Sequence, residues 1–573
     1  MPSPTPSICP MPLRKADFAT LTEALDYASG SERGLNFYSG NGQLLESLRY
    51  RDLRDQARSL ARRLLAAGFV PGEERIALVA ETGGDFVRFF FACLYAGIAP
   101  LPLPLPMAFG GRQGYVGHIR RMLGAARVSG LFAPAFLADW ALEAAEGLPL
   151  RVAGGFGALD GHMETADALP AIGQDDVAYL QFSSGSTRFP SGITVTHRAL
   201  MENARAIVRH GLQIVEGDRG VSWLPFYHDM GLVGFLLAPL AAQISVDYLP
   251  TGEFARRPLT WLSLIARNRG TLSYSPSFGY ELCAKRAAAT VPEGLDLSSW
   301  RAAGIGGDMI RPQVLAGFAR SFAPCGFDPR AFVPSYGMAE TTLAVSFAPL
   351  RTGVEVDRVD LDVLEGDGLA AAPRAAGGRT RDFVLCGPPL AGHEVEVRDP
   401  GGAPLGERRL GRLFVRGPSL MHGYFDQPEE TARVLSADGW LDTGDLGYRV
   451  GGALVITGRA KDLILINGRN IWPQDLEWSV ERAGGLRSGD VAAFAIEQDE
   501  AERIVLLVHC RTSDPDARRA LKSTVAGTLR AEHGAEAQVL LVPSHSLPQT
   551  SSGKLSRSRA RQLFLAGAFG DGL

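Results

Sequence analysis

The sequence is short of cysteine, of net charge and of unbroken apolar runs. Its 573 residues hold six cysteines. Cys9, Cys93, Cys283, Cys325, Cys386 and Cys510 are scattered with no C-x-x-C pair, so neither a zinc site nor a disulfide framework is expected. The formal net charge of −4 lacks the basic footprint of a nucleic-acid binder. The longest uncharged run, Phe89 to Gly111, is broken by Pro100, Pro102, Pro104 and Pro106, so no transmembrane segment is expected. The proline-rich start, Met1 to Pro6, has no charged region followed by an apolar one. It is not a signal peptide, and a cytoplasmic location is the expectation. No Gly-Lys-Ser/Thr completes a Walker A loop, and no G-x-S-x-G elbow marks a serine hydrolase.

What is present describes a globular enzyme, with 46% hydrophobic and 21% charged residues in a chain too long for one core. Leu53, Ala57, Leu60, Leu64 and Leu65 recur at helical spacing, and Gly68 ends that helix. Ile76 to Ala80 is a continuous apolar strand of the kind covered on both faces. A buried helix ends near Gly97 and is followed by an extended segment. The alternation persists to about residue 340 and predicts layered α/β subdomains with largely parallel sheets. Residues 349–381 are rich in Asp, Gly, Ala and Arg and read as an insertion or mobile surface segment. Strands at Phe383–Cys386, Glu394–Val397 and Arg412–Val415 predict a smaller β-rich subdomain. From Arg459 onward, strands at Val491–Ile496, Ile504–His509 and Val539–Val542 surround a helix over Asp516–His533. The fold class is α/β: a large N-terminal domain over 1–458 and a small, mobile α+β domain over 459–573.

Six segments carry chemistry. In Tyr179 to Gly192 an apolar strand runs into a loop containing Ser183, Ser184, Gly185, Ser186 and Thr187. Its low bulk lets backbone N–H groups converge on a phosphate, and its hydroxyls add donors. Next come Trp223-Leu224-Pro225-Phe226-Tyr227-His228-Asp229-Met230-Gly231, Gly306-Gly307-Asp308 and Ser335-Tyr336-Gly337-Met338-Ala339-Glu340-Thr341. The last two are Gly439 to Asp445 with Thr457 to Asp462, and Thr550-Ser551-Ser552-Gly553-Lys554. Taken singly, each has an ordinary reading: a turn aspartate for Asp445, a solvated charge for Glu340 or Lys554, a satisfied structural histidine for His228. Their fixed order at domain-sized spacings favours a joint one.

Together these segments resemble the acyl-adenylate-forming superfamily over nearly the whole chain. Within it the chain looks like a fatty acyl-AMP ligase. Arg188 follows Gly185-Ser186-Thr187, Pro190-Ser191-Gly192 replaces the usual Pro-Lys-Gly, and Gly468 to Glu477 resembles the segment after that branch's hinge. Residues 349–381 sit where the branch carries its own insertion.

The resemblance implies ATP and Mg²⁺ as cofactors. Lys554 would bridge the fatty carboxylate and the α-phosphate, and Glu340 would hold Mg²⁺. Asp445 would accept from the ribose hydroxyls, and Arg459 would donate to ribose or phosphate. Tyr336 would offer a face to adenine, with Gly306, Gly307 and Asp308 and the Ser335, Gly337 and Met338 backbone around the nucleotide. His228 would lie near the acyl entrance. The apolar residues that flank it, Leu232, Val233, Phe235 and Leu236, read equally as the wall of an acyl tunnel or as ordinary core, the commoner fate of such residues. The hinge would lie near Lys461, and the insertion would pack between domains and disfavour the arrangement that accepts CoA. The implied activity is conversion of a medium- or long-chain fatty acid to acyl-AMP, then transfer to an acyl carrier protein acting in trans, since no carrier motif is visible in the chain.

An acyl-CoA synthetase shares every motif of the first half-reaction and is the alternative. A non-catalytic acyl-adenylate sensor would need no Lys554, Glu340 and Asp445 set. The chain departs from the branch at Ile305-Gly306-Gly307-Asp308, where Asn-Gly-Ala-Glu is usual, and at Arg412, where Glu is common.

Overall fold

The computed structural model describes residues 11–106, 111–165, 167–182, 191–374, 378–466, 469–498, 501–550 and 554–570. Leu53, Ala57 and Leu64 are fully buried on the helix Tyr50–Ala66, and Gly68 (φ +88°) closes it in the left-handed conformation. Leu60 and Leu65 flank that stripe and are only partly buried. The helix Gly84–Tyr95 ends before Gly97, also left-handed at φ +67°. The extended segment that follows is the strand Ala99–Leu103, which forms the edge of a parallel four-stranded sheet. An edge tolerates Pro100 and Pro102, which have no N–H to give a ladder.

The larger sheet has eight strands. Its six inner strands, Phe332–Gly337, Ala302–Ile305, Leu272–Ser275, Arg219–Ser222, Ser245–Tyr248 and Gly34–Tyr38, run parallel. Ala344–Phe347 and Leu44–Arg49 flank it antiparallel. Ligands of open α/β sheets collect outside the carboxyl ends of such strands. Three of the sequence segments sit there: Trp223 to His228 just beyond Ser222, Gly306 to Asp308 after Ile305, and Ser335 to Gly337 closing their own strand.

The β-rich part is an antiparallel sheet of Glu394–Arg398, Gly411–Arg416, Leu441–Val450 and Ala453–Arg459. The C-terminal unit folds Val491–Gln498, Ala501–Cys510 and Ala537–Pro543 into one sheet, with helices Pro473–Ala483, Pro515–Thr528 and Arg557–Leu565 against it.

Of the two readings of residues 349–381, an insertion or a mobile surface segment, the structure departs from the second. Val356–Asp360 pairs antiparallel with Thr380–Val384, and the helix Leu361–Asp367 is capped by the Asp360 carboxylate. Val359, Leu361 and Leu364 are buried with Phe383, Tyr448 and Trp472, while Val356 stays exposed. Polar composition concealed this because charges do the burying: Glu365, 3% exposed, pairs with Arg379 and with Arg469 of the C-terminal unit. Of Phe383–Cys386, expected in the β-rich sheet, Phe383 and Val384 end the second strand of this ribbon instead, and the chain then meets that sheet at the bridge Leu385–Val455 and through Cys386 N–H donating to the Leu454 carbonyl at 2.8 Å.

The described cysteines form no disulfide. Among the described residues, no helix is long and apolar enough to cross a membrane.

Candidate active site

Two cavities meet at the carboxyl ends of the parallel strands. The polar one, about 260 Å³, is lined by Asp308, Asp445, Lys461 and the strand end Ser335–Gly337. The other, about 160 Å³, is walled mainly by apolar side chains, with His228, Asp229 and Glu340 at its polar end. Gly307, Ser335, Tyr336, Gly337, Arg459 and Lys554 line both.

Backbone geometry makes the junction. Gly307 is left-handed at φ +76°. A Cβ on Gly306 would stand 2.8 Å from the Ser335 carbonyl oxygen, and one on Gly337 would strike the carbonyl of Leu343. The strands can therefore close on one another only with glycine at both places. Gly231 serves the His228 turn in the same way, since a Cβ there would strike the Pro225 carbonyl.

Asp445 and Arg459 face each other across antiparallel strands, with Arg459 Nε 3.3 Å from Asp445 Oδ1. The Tyr336 hydroxyl donates to Asp445 Oδ2 at 2.8 Å. Burial raises the Asp445 carboxyl above the usual range, and Arg459 opposes that rise. Asp445 in turn holds the Arg459 guanidinium charged. The Tyr336 phenol, buried beside this carboxylate, is pushed well above its ordinary value.

Glu340 is raised by burial, and its Oε1 accepts from the Tyr424 hydroxyl at 3.1 Å. Lys554 reaches in from the C-terminal unit, and its carbonyl accepts from the Thr550 N–H at 2.7 Å. Its Nζ donates to the Gly307 carbonyl oxygen. Arg412 pairs with Asp442 at 3.1 Å, so the glutamate-to-arginine departure is neutralised locally.

The structure thus brings together His228, Gly306, Gly307, Asp308, Ser335, Tyr336, Gly337, Met338, Glu340, Asp445, Arg459 and Lys554. Gly306, Met338 and Glu340 line the apolar cavity rather than the polar one. Of the suggested tunnel residues only Phe235 lines it; Leu232, Val233 and Leu236 are fully buried core. Ser183, Ser184, Gly185, Ser186 and Thr187 lie outside the described residues, as do Arg188 and Pro190.

One residue of the constellation carried no role in the sequence. Asp229 lies against His228, with Oδ1 2.5 Å from Nδ1, and the same oxygen accepts from Met230 N–H at 2.7 Å. Burial works to raise this carboxyl, yet His228 and Lys554 hold it below the usual range. Its adjacency to His228 in the sequence was the available signal. Among the described residues no group of three or more His, Cys, Asp or Glu side chains forms a metal cage.

The AMP-binding enzyme family matches residues 38–425. A Caulobacter vibrioides protein, named provisionally as an acyl-CoA synthetase, is 54% identical over 99% of both chains. The medium-chain-fatty-acid–[acyl-carrier-protein] ligase JamA of Moorena producens is 32% identical over 97% of this chain and 96% of its own. A solved structure from work on the fatty acyl-adenylate ligases of E. coli and L. pneumophila superposes with a TM-score of 0.93. It is 45% identical and covers 97% of this chain and 100% of that one. With this site at the ends of this sheet, the chain belongs to the AMP-binding, adenylate-forming enzymes, and within them to the fatty acyl-AMP ligases.

Proposed function

We propose that the protein activates a medium- or long-chain fatty acid as acyl-AMP and passes the acyl group to the phosphopantetheine thiol of an acyl carrier protein. A carboxylate oxygen attacks the α-phosphorus of ATP, the bond to pyrophosphate breaks, and a mixed anhydride forms. The thiol then attacks the acyl carbon and AMP leaves. The observation that carries this reading is the polar cavity joined to an apolar one at Lys554.

The roles are those the resemblance implies, and the placement of these side chains around the two cavities supports them. The apolar cavity would take the acyl chain, with its carboxylate between His228 and Lys554. The Lys554 ammonium would neutralise charge gathering on the α-phosphate, where a fixed donor acts most strongly. Asp445 and Arg459 would hold the ribose, with the Tyr336 ring and Gly306–Asp308 beside the adenine. The loop Ser183–Thr187 would cradle the phosphates. Glu340 is the candidate ligand for Mg²⁺, which takes one or two carboxylates and leaves its other positions to phosphates and water. A single buried carboxylate steadied by Tyr424 suits that demand. When bound, Mg²⁺ would supply positive charge against the triphosphate. We take residues 1–458 and 459–573 as the two domains, hinged near Lys461.

The test is pyrophosphate release with ATP, Mg²⁺ and one fatty acid, followed by acceptor assays with CoA and with holo carrier proteins. Fatty-acid-dependent release with transfer to a carrier is expected. Efficient transfer to CoA instead would favour an acyl-CoA synthetase, the reading supported by the name of the 54% identical relative. No fatty-acid-dependent release would overturn the proposal.

A further inference from the structure

One wall of the apolar cavity holds two aromatic rings packed against glycines. Tyr274 pairs with Gly304 on the neighbouring parallel strand, and a Cβ on Gly304 would fall inside the Tyr274 ring. The ring therefore lies flat on bare backbone. The Tyr280 hydroxyl fixes that backbone from elsewhere, donating to the Gly304 carbonyl at 2.8 Å. Phe347 ends the flanking strand Ala344–Phe347, opposite Ser335, and a Cβ on Gly211 would strike its ring. Gly211 closes the turn Ala206–Gly211, which also supplies Ile207 to the wall. The Tyr274 and Phe347 centroids are 5.9 Å apart, and Phe235 lies 5.9 Å from Tyr274 on its other side. All three rings are buried.

A ring seated on a glycine has nowhere to retreat. In a close-packed interior, moving it would need backbone motion in two strands. The cavity is accordingly of fixed depth rather than gated. It is also small. At about 160 Å³ it is smaller than the polar cavity of about 260 Å³ that it adjoins.

We infer that Tyr274 and Phe347, held by Gly304 and Gly211, form an end wall that limits the substrate to medium-chain fatty acids. This rests on the reading of the site as a fatty acid adenylation site and narrows its substrate class. Beyond the wall each further methylene would meet packed rings instead of apolar space, so selectivity should fall off sharply with length.

The experiment is a series of saturated fatty acids of increasing length, read as kcat/KM for pyrophosphate release. Wild type should favour medium chains over long ones by ~10-fold or more, the scale on which pockets resolve methylenes. Phe347→Ala and the milder Phe347→Leu should shift the optimum to longer acids. Tyr274→Phe, which keeps the ring, should leave it in place. Gly211→Ala should press Phe347 inward and shift the optimum to shorter acids. Equal use of long and medium acids by wild type would overturn the wall. So would an optimum unmoved by folded Phe347→Leu and Gly211→Ala variants. No adenylation of any fatty acid by wild type would overturn the activity itself, and the wall with it.

Discussion

At the scale of single residues the proposed reaction rests on Lys554, which comes from one unit and makes its contact, the Gly307 carbonyl, in the other. An ammonium held there acts only where charge develops. Lys554→Ala should therefore slow acyl-AMP formation by ~10²-fold or more, with a smaller effect on fatty-acid binding. Near-normal pyrophosphate release by the variant would remove Lys554 from the reaction. Asp229 faces both Lys554 and His228, so Asp229→Asn should lower kcat by less than Lys554→Ala does, with KM for the fatty acid little changed. If the carboxylate works by orienting the lysine, the two losses will not add, and the double variant should resemble Lys554→Ala alone. Strict additivity would mean that Asp229 acts independently. Lys554 became a candidate through the ordered set of motifs and the resemblance they carry, since a lysine in a Ser/Gly loop reads by itself as a solvated charge. Sequence reasoning passed over Asp229 because adjacency to His228, the signal available, does not separate a buried partner from an exposed turn residue.

At the scale of elements, apolar spacing was enough for the helices and parallel strands that raise the motifs to one sheet end. It could not tell which face of an apolar run meets a cavity. Phe235 does, whereas Leu232, Val233 and Leu236 are core. It also could not see charges that pair across long separations. The helix Pro473–Ala483 docks on the large unit through two such pairs, Asp475 with Arg381 at 2.7 Å and Glu481 with Arg311 at 3.2 Å. Burial raises Asp475 to about 6 against its arginine, with Glu365, Arg379 and Glu477 also facing it. Glu481 is raised to about 7, with Glu477 and the Gly489 N–H beside its arginine.

Both carboxyls thus hold protons more tightly docked than they would exposed to water. Docking takes up protons, and this contribution is fully present below the ordinary carboxylate range and lost as pH rises through about 6 to 7. Raising the pH from about 5 to about 8 should loosen the C-terminal unit, seen as faster proteolysis near Lys461 or a longer distance between labels on the two units. Asp475→Asn with Glu481→Gln should flatten that dependence. An unchanged slope in the double variant would assign the pH response to other groups.

At the scale of the whole molecule, residues 349–381 join the two units. Val359, Leu361 and Leu364 pack with Trp472, and Glu365 grips Arg469. Each of these contacts holds the C-terminal unit where Lys554 reaches the site. With the proposed hinge near Lys461, the second half-reaction would turn that unit and withdraw the lysine, which means breaking them. An element that stabilises one arrangement by only a few kcal/mol strongly depopulates the other. Wild type should therefore make acyl-AMP readily and acyl-CoA poorly. Replacing the helix Leu361–Asp367 and the turn after it with a short link between the two ribbon strands should raise acyl-CoA formation while adenylation persists. Glu365→Ala should move in the same direction by less, since it removes one grip and leaves the apolar seat of Trp472. Robust acyl-CoA production by wild type would show that these contacts impose no such bias. If the shortened variant still adenylates but gains no transfer to CoA, the choice of acceptor lies in the contacts that would bind CoA rather than in the arrangement of the units.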